Sequence, residues 1–361
     1  MPLPAEFPDS APILVRSTAT AAAGALAEAV RRAGLRHVAV DALTITRRQA
    51  GKGFSYRDAA GRIVRDAGVL SRIRALAIPP AYVDVRIAED MQAHLQAIGR
   101  DEAGRIQHRY HPDWDAVREE RKVSRLAALI DALPRIRARV RHDLASARLD
   151  RTKALACAVA LIDEAHIRIG CEAYARAHGS RGATTLLKHN AAVRGERIDL
   201  TFRGKGGKTV SSGMREPKLA RALKRIGTLP GRRLLQFRDT DGRVRPITAA
   251  DVNAYLRRVA GKPVTAKDFR LLGGSAAALE HLAAIEPAAS EAARRRQLAA
   301  VMRMVAEHLA NTPAVTRKSY VHAVVVDAFA GGTLAAAYRA ARGARLRRRV
   351  ENALGRLVSM R

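Results

Sequence analysis

The chain of 361 residues carries 65 Lys and Arg against 34 Asp and Glu, a formal net charge of +31. No other feature restricts its folded form so strongly. A compact body of that charge repels itself, so its cations need a surface on which a polyanion can lie. Nucleic acid meets this need, because each neutralised phosphate releases condensed counterions. Most of the excess is Arg, whose planar fork grips phosphate oxygens in pairs. Hydrophobic residues make up 48%, enough for a sizeable core, and the length suits two ordinary domains.

Several function classes drop out. Cys157 and Cys171 are the only cysteines, too few for a disulfide framework or a zinc site. No apolar run approaches the ~20 residues that span a bilayer, and Met1 to Ser17 lacks the flank and apolar stretch of a signal peptide. A cytoplasmic protein working on the nucleoid is expected. There is no G-x-x-x-x-G-K-[ST] nucleotide loop and no acidic cluster suited to a divalent metal, so neither cofactor nor metal is expected.

Hydrophobic patterning divides the chain. Residues 1–35 form an N-terminal extension with an Ala-rich helix over Ala19–Arg32. Residues 36–112 read as a small mixed α/β domain. Its strands are Ala42–Arg47, Gly53–Arg57, Gly61–Val64 and an extended basic piece over Gly104–Pro112; its helices are Val69–Leu76 and Ala88–Ile98. From 113 to 330 apolar residues recur three and four apart, in Val123–Leu133, Leu155–Ala177, Ala249–Val259 and Ala299–His308. Within this helical stretch Arg194–Val210 alternates around Gly204-Lys205-Gly206-Gly207-Lys208, which predicts an inserted β-hairpin. Residues 331–361 form a basic C-terminal tail, helical and amphipathic from Leu334. The fold class is α+β.

Four segments carry residues suited to chemistry at phosphate. In Asn311–His322, Pro313 favours a turn or helix start, and Arg317 and Lys318 precede Tyr320. A phenol attacking phosphate loses a proton from a group with a pKa near 10, and neighbouring cations help it do so. A tyrosine among solvated charges is equally what a DNA-edge residue looks like, so this segment alone identifies no nucleophile. Leu161–Gly170 places Arg168 on an otherwise apolar helix, where it needs an anionic partner or a salt bridge to Asp163 or Glu164. Phe202–Lys208 puts Lys205 at an uncrowded hairpin tip, which suits a mobile proton donor and also a plain phosphate clamp. Thr265–Arg270 sets Lys267 and Arg270 three apart on one helical face, as a surface ion-pair ladder also would.

Taken in order, these segments resemble the type IB topoisomerases of the bacterial and poxvirus-like kind, from about Thr46 to His322. Thr46–Tyr56, Ile78–Tyr82 and Gly104–Tyr110 are similar to that family's N-terminal DNA clamp, and the four segments above to its catalytic stations. The resemblance implies a fold like that of topoisomerase IB and the tyrosine recombinases. It further implies Tyr320 as nucleophile, Arg168 and Arg270 on the nonbridging oxygens of the scissile phosphate, and Lys205 as general acid for the departing 5′ oxygen. Lys267 would assist. Double-stranded DNA would be the partner, enclosed by a monomer and touched by Arg47, Arg48, Lys52, Tyr56, Gln107, Arg109, Tyr110, Lys208, Arg317 and Lys318. The activity implied is relaxation of supercoils through a 3′-phosphotyrosyl intermediate, without ATP or metal.

Two departures stand out. Many relatives have His where this chain has Asn311, whose amide cannot act as acid or base but can donate a hydrogen bond to phosphate; His308, three residues earlier, is its rival. Leu271-Leu272 follow Arg270 where Thr-Trp is frequent, which bears on packing. Tyrosine recombinases share the catalytic plan, but usually carry His at the position of Lys267 and a helical N-terminal domain. A noncatalytic basic DNA-binding protein is the alternative from another class, and the complete set of Arg168, Lys205, Arg270 and Tyr320 speaks against it.

Overall fold

A computed structural model describes residues 24, 26–341 and 346–360. Of the extension expected over residues 1–35, residues 1–23 and 25 lie outside the described residues. The chain divides into two compact units, one ending at Lys122 and one running from Val123.

The first unit opens with a helix over 26–32 (α1), whose Ala29 and Val30 pack against Trp114 and Val117. Strands β1 (Ile45–Ala50), β2 (Gly53–Arg57), β3 (Val83–Ile87), β4 (Leu95–Arg100) and β5 (Ile106–Tyr110) form an antiparallel sheet in the order β2-β1-β3-β4-β5. Helix α2 (Ala67–Ala75), capped by the Asp66 carboxylate on the Val69 N–H at 2.8 Å, adds Ile73 to a core with Ile45, Val85, Ile87 and Ala97. Ala88–Ile98, expected as a helix, is instead a turn followed by β4. Gln96 is buried and donates to the carbonyls of Asp90, Met91 and Ala93, which holds the turn. Leu95–Gly99 is buried throughout, so a central strand lacked the polar alternation that distinguishes it from a helix.

Helix α3 (Trp114–Ala145) leads into the second unit, which is mostly helical. Helix α4 (Arg151–Ala165) is capped by Asp150 and is buried from Lys153 through Asp163. After α5 (Glu172–His178) come strands β6 (Ala191–Arg194), β7 (Arg197–Arg203) and β8 (Thr209–Arg215), a three-stranded antiparallel sheet with Lys205 in the β7–β8 turn. Then follow α6 (Pro217–Gly227), the short strands β9 (Gln236–Arg238) and β10 (Val244–Pro246), α7 (Ala249–Ala260), α8 (Ala266–Ala283), α9 (Glu291–His308), α10 (Pro313–Ser319), α11 (Ala323–Ala330), α12 (Leu334–Ala340) and α13 (Leu346–Ser359).

One core, built on α4 and α8, receives side chains from α3, α7, α9, α11 and α13. The single basic helix expected from Leu334 is two helices, and α13 buries Val350, Ala353, Leu354, Leu357 and Val358 in that core; Arg345 and Arg361 lie outside the described residues. Arg137, Asp163, Arg347 and Glu351 form a charge network joining α3, α4 and α13.

Candidate active site

Leu155–Ala177, expected as one helix, breaks in the middle. Helix α4 stops at Ala165 because His166 turns left-handed, with φ 49° and ψ 27°. Arg168 is therefore not on a helix, contrary to expectation. It lies on an extended stretch held against residues 183–184: the Ala183 N–H donates to the Arg168 carbonyl at 2.8 Å and the Thr184 N–H to the Ile169 carbonyl at 2.8 Å. A Cβ on Gly182 would fall 2.5 Å from both the Arg168 oxygen and the Gly170 nitrogen. Only glycine allows that approach.

Arg270 sits in the second turn of α8, whose start is fixed by Asp268 accepting from the Thr265 N–H at 2.8 Å. Its side chain is buried, and its Nη1 donates to the His166 carbonyl while Nη2 donates to the Leu309 carbonyl at 2.9 Å. Burial, then the charge of Arg168, pushes its pKa down to about 10, which leaves it cationic at neutral pH. Its guanidinium carbon lies 4.7 Å from the centre of the Tyr320 ring.

Tyr320 ends α10, a helix started by Thr312 as cap and Pro313 at its first position, as expected. Its backbone carbonyl presses on α8, where a Cβ at Gly274 would come within 2.3 Å of it. Burial by itself would raise the phenol's pKa. The charges of Arg270, Arg168 and Lys267 outweigh burial, and the net direction is downward.

Asn311 follows α9 through Ala310, also left-handed at φ 47°. Its Oδ1 accepts from Arg168 Nη2 at 3.2 Å, and its carbonyl accepts from Lys208 Nζ. Its buried Nδ2 has no hydrogen-bond partner among the described residues.

Arg168, Lys205, Lys267, Arg270 and Tyr320 line one pocket of about 280 Å³. Arg181, which sequence reasoning passed over, lines it too, and no carboxylate does so among the described residues. Five cations around a phenol, in a pocket whose described lining holds no carboxylate, favour an anionic ligand. Neither His308 nor Asn311 lines this pocket; His308 lines an adjoining cavity with Arg168, Lys205 and Arg270, and its ring packs edge-on to that of His166, centroids 5.8 Å apart.

The expected DNA-contacting residues are disposed unevenly. Arg48 and Lys52 on the β1–β2 hairpin, Lys208 in the β7–β8 turn, and Arg317 and Lys318 on α10 are exposed. Arg47 is occupied otherwise: it donates to the carbonyls of Ile78, Pro79, Pro80 and Tyr82 and lies 4.1 Å over Phe54. Arg109 donates to the Ala77 carbonyl at 3.0 Å and Gln107 to Asp101 at 2.9 Å. Tyr56 is half-buried in the first unit's core, and Tyr110 stacks on His108 and Trp114.

Residues 53–101 match the family described as Bacterial DNA topoisomerase IB, N-terminal domain. Residues 112–340, more than half of the chain, match Eukaryotic DNA topoisomerase I, catalytic core. The chain belongs to the type IB DNA topoisomerases. It is similar to the DNA topoisomerase 1B of Acanthamoeba polyphaga mimivirus, 29% identical over 265 residues that cover 70% of this chain and 77% of that protein. As a type IB topoisomerase it is an isomerase that binds and acts on DNA, and the cationic pocket with its phenol lies within the matched catalytic core. Among the described residues of this topoisomerase no helix is long and apolar enough to cross a membrane.

Proposed function

We propose that this topoisomerase relaxes supercoiled duplex DNA by cutting and resealing one strand through Tyr320. The Tyr320 oxygen attacks the scissile phosphorus, forming a 3′-phosphotyrosyl bond as the bond to the 5′ oxygen breaks. Lys205 gives its proton to that departing oxygen, which is worth roughly 10²–10⁴ in rate for a poor leaving group. Arg168 and Arg270 hold the nonbridging oxygens, where negative charge grows as phosphorus becomes five-coordinate, so they favour the transition state. Two carbonyls engage Nη1 and Nη2 of Arg270, and a guanidinium has five N–H donors, so donors are left over for phosphate. Asn311 Nδ2 donates one more hydrogen bond, and Lys267 assists the proton transfer or binds phosphate. His308, whose ring packs on that of His166, is assigned no step.

Resealing reverses these steps. The phosphotyrosyl ester keeps the energy of the phosphodiester, so no ATP is consumed, and the arginines and lysines supply the charge a metal would otherwise bring. Between the two steps the cut strand swivels. A single chain enclosing the duplex suffices.

One observation carries this reading: Arg168, Lys205, Arg270 and Tyr320 line a single pocket that holds no carboxylate among the described residues. The test is Tyr320→Phe. It should bind duplex as the parent does, yet relax no plasmid and leave no protein-linked strand on a denaturing gel. Relaxation at the parental rate would remove Tyr320 as nucleophile.

A further inference from the structure

We propose that His166 and Ala310 are paired positioning residues, whose left-handed backbone turns seat Arg270 and aim Arg168 and Asn311 at the reacting phosphate. This rests on the phosphate-binding roles proposed above for the two arginines.

The two turns are built alike. Each ends a long helix, α4 at His166 and α9 next to Ala310, and each carries a residue other than glycine at positive φ, 49° and 47°. L-residues avoid this conformation because Cβ crowds the following carbonyl oxygen. Such outliers persist where the surroundings over-determine them, and they concentrate at functional sites. Here each turn does two things. It leaves a carbonyl facing Arg270, that of His166 for Nη1 and that of Leu309 for Nη2. It then sends the chain off at an angle that presents a residue one or two positions later, Arg168 of the pocket after one turn and Asn311 after the other. Those two residues meet at 3.2 Å. Arg270 thus bridges two helix ends that flank it, and the geometry of three phosphate-facing side chains depends on two backbone conformations.

The His166 ring locks its own turn. It is half-buried and packs on α8 at Gly273, where a Cβ would fall 2.4 Å from the ring. Burial, chiefly, pushes its pKa down to about 3, so the ring adds no charge beside the arginines. Neither residue touches the phosphate in this scheme. They act through Arg270, Arg168 and Asn311.

The experiment places Gly and Val at each position in the full chain. It reads plasmid relaxation at saturating DNA, and duplex affinity in the Tyr320→Phe background. Gly accepts the left-handed turn and Val resists it. At Ala310, Gly should keep the parental rate while Val lowers it about tenfold or more, the size of the left-handed penalty. At His166, Gly should outrun Val by a similar factor. Duplex affinity should stay unchanged, since the turns set alignment and not surface charge; a purely structural role would move unfolding without this split. Folded Val variants that relax DNA at the rate of their Gly counterparts would overturn the proposal. Should a Val variant fail to fold, His166→Ala against His166→Gly decides, because both lose the ring and differ only in tolerance of the turn; equal rates would then overturn it. Arg168→Ala and Arg270→Ala are measured alongside. If they relax DNA normally, the phosphate-binding reading has failed; if they do not and the Gly and Val rates coincide, only the present proposal has.

Discussion

At Tyr320 two effects oppose each other, and under the proposed mechanism their balance decides when the phenol can attack. Burial favours the neutral phenol, while Arg270, Arg168 and Lys267 favour the phenolate, and the cations prevail. A lowered pKa means that the nucleophilic form accumulates at a lower pH than in a free tyrosine. Strand cutting at saturating duplex should therefore rise with pH through that depressed value. Arg270→Gln removes the largest of the charge effects, so the rise should move to higher pH as well as to a lower plateau. Single-turnover formation of the protein-linked strand across a pH series checks this; a rise that stays in place would mean that Arg270 does not tune the phenol. In the proposed mechanism Lys205 is separable, because its proton would go to the other bond's departing oxygen. Lys205→Ala should slow cutting by roughly 10²–10⁴, and the loss should largely vanish on a duplex whose 5′ leaving group is a thiol, which departs without a proton. Failure of that substrate to recover the rate would take the general-acid role from Lys205.

At the scale of elements, what was legible in the sequence followed from periodicity and turn chemistry. Helix α7 was read in place over nearly its whole length, while of α3 only Val123–Leu133 and of α9 only Ala299–His308 were read as helical. So was the Lys205 turn, whose glycines leave little alternative, and Pro313 marked the start of α10. Two misreadings have one cause. Strand β4 and helix α4 are buried on all sides, so neither alternates with polar residues, and an apolar run has no period to read. Within the run around α4, only contacts distant in sequence reveal the break at His166: residues 182–184 grip the backbone after it, and Arg270 takes its carbonyl. Charge alone also does not say that four carbonyls engage Arg47, which was read as a DNA contact. Packing of this kind supports two predictions. In Gly273→Ala the new methyl meets the His166 ring, so the variant should lose about 1–3 kcal/mol of stability by overpacking and cut DNA slowly. Adding His166→Gly should restore much of both, as denaturant unfolding and relaxation assays would show. In Arg137→Met, Asp163 and Glu351 lose a partner in the buried network, which should cost about 3 kcal/mol in denaturant unfolding. A negligible change would mean that Arg347 alone holds α13 to α4.

For the whole molecule the governing quantity is the net charge of +31. Cations that crowd one another in the free protein gain twice on binding DNA, from attraction and from release of the duplex's counterions. Affinity for a short duplex, measured with Tyr320→Phe so that no strand is cut, should fall linearly in log affinity against log salt. If some 6–10 phosphates are engaged, the loss between 50 and 200 mM salt is about 10³–10⁵. The same duplex should raise the unfolding temperature at low salt, since a ligand that binds only the folded state stabilises it, and the gain should fade as salt rises. Alanine at Arg48, Lys52 or Arg317, all exposed, should each reduce the salt slope by about one if that side chain pairs with a phosphate. Arg47→Ala differs in kind: with its guanidinium tied to backbone carbonyls, it should lower stability and leave the slope nearly intact. A slope that fell by one for Arg47 and not for Arg48 would reverse the assignment of which arginine faces DNA.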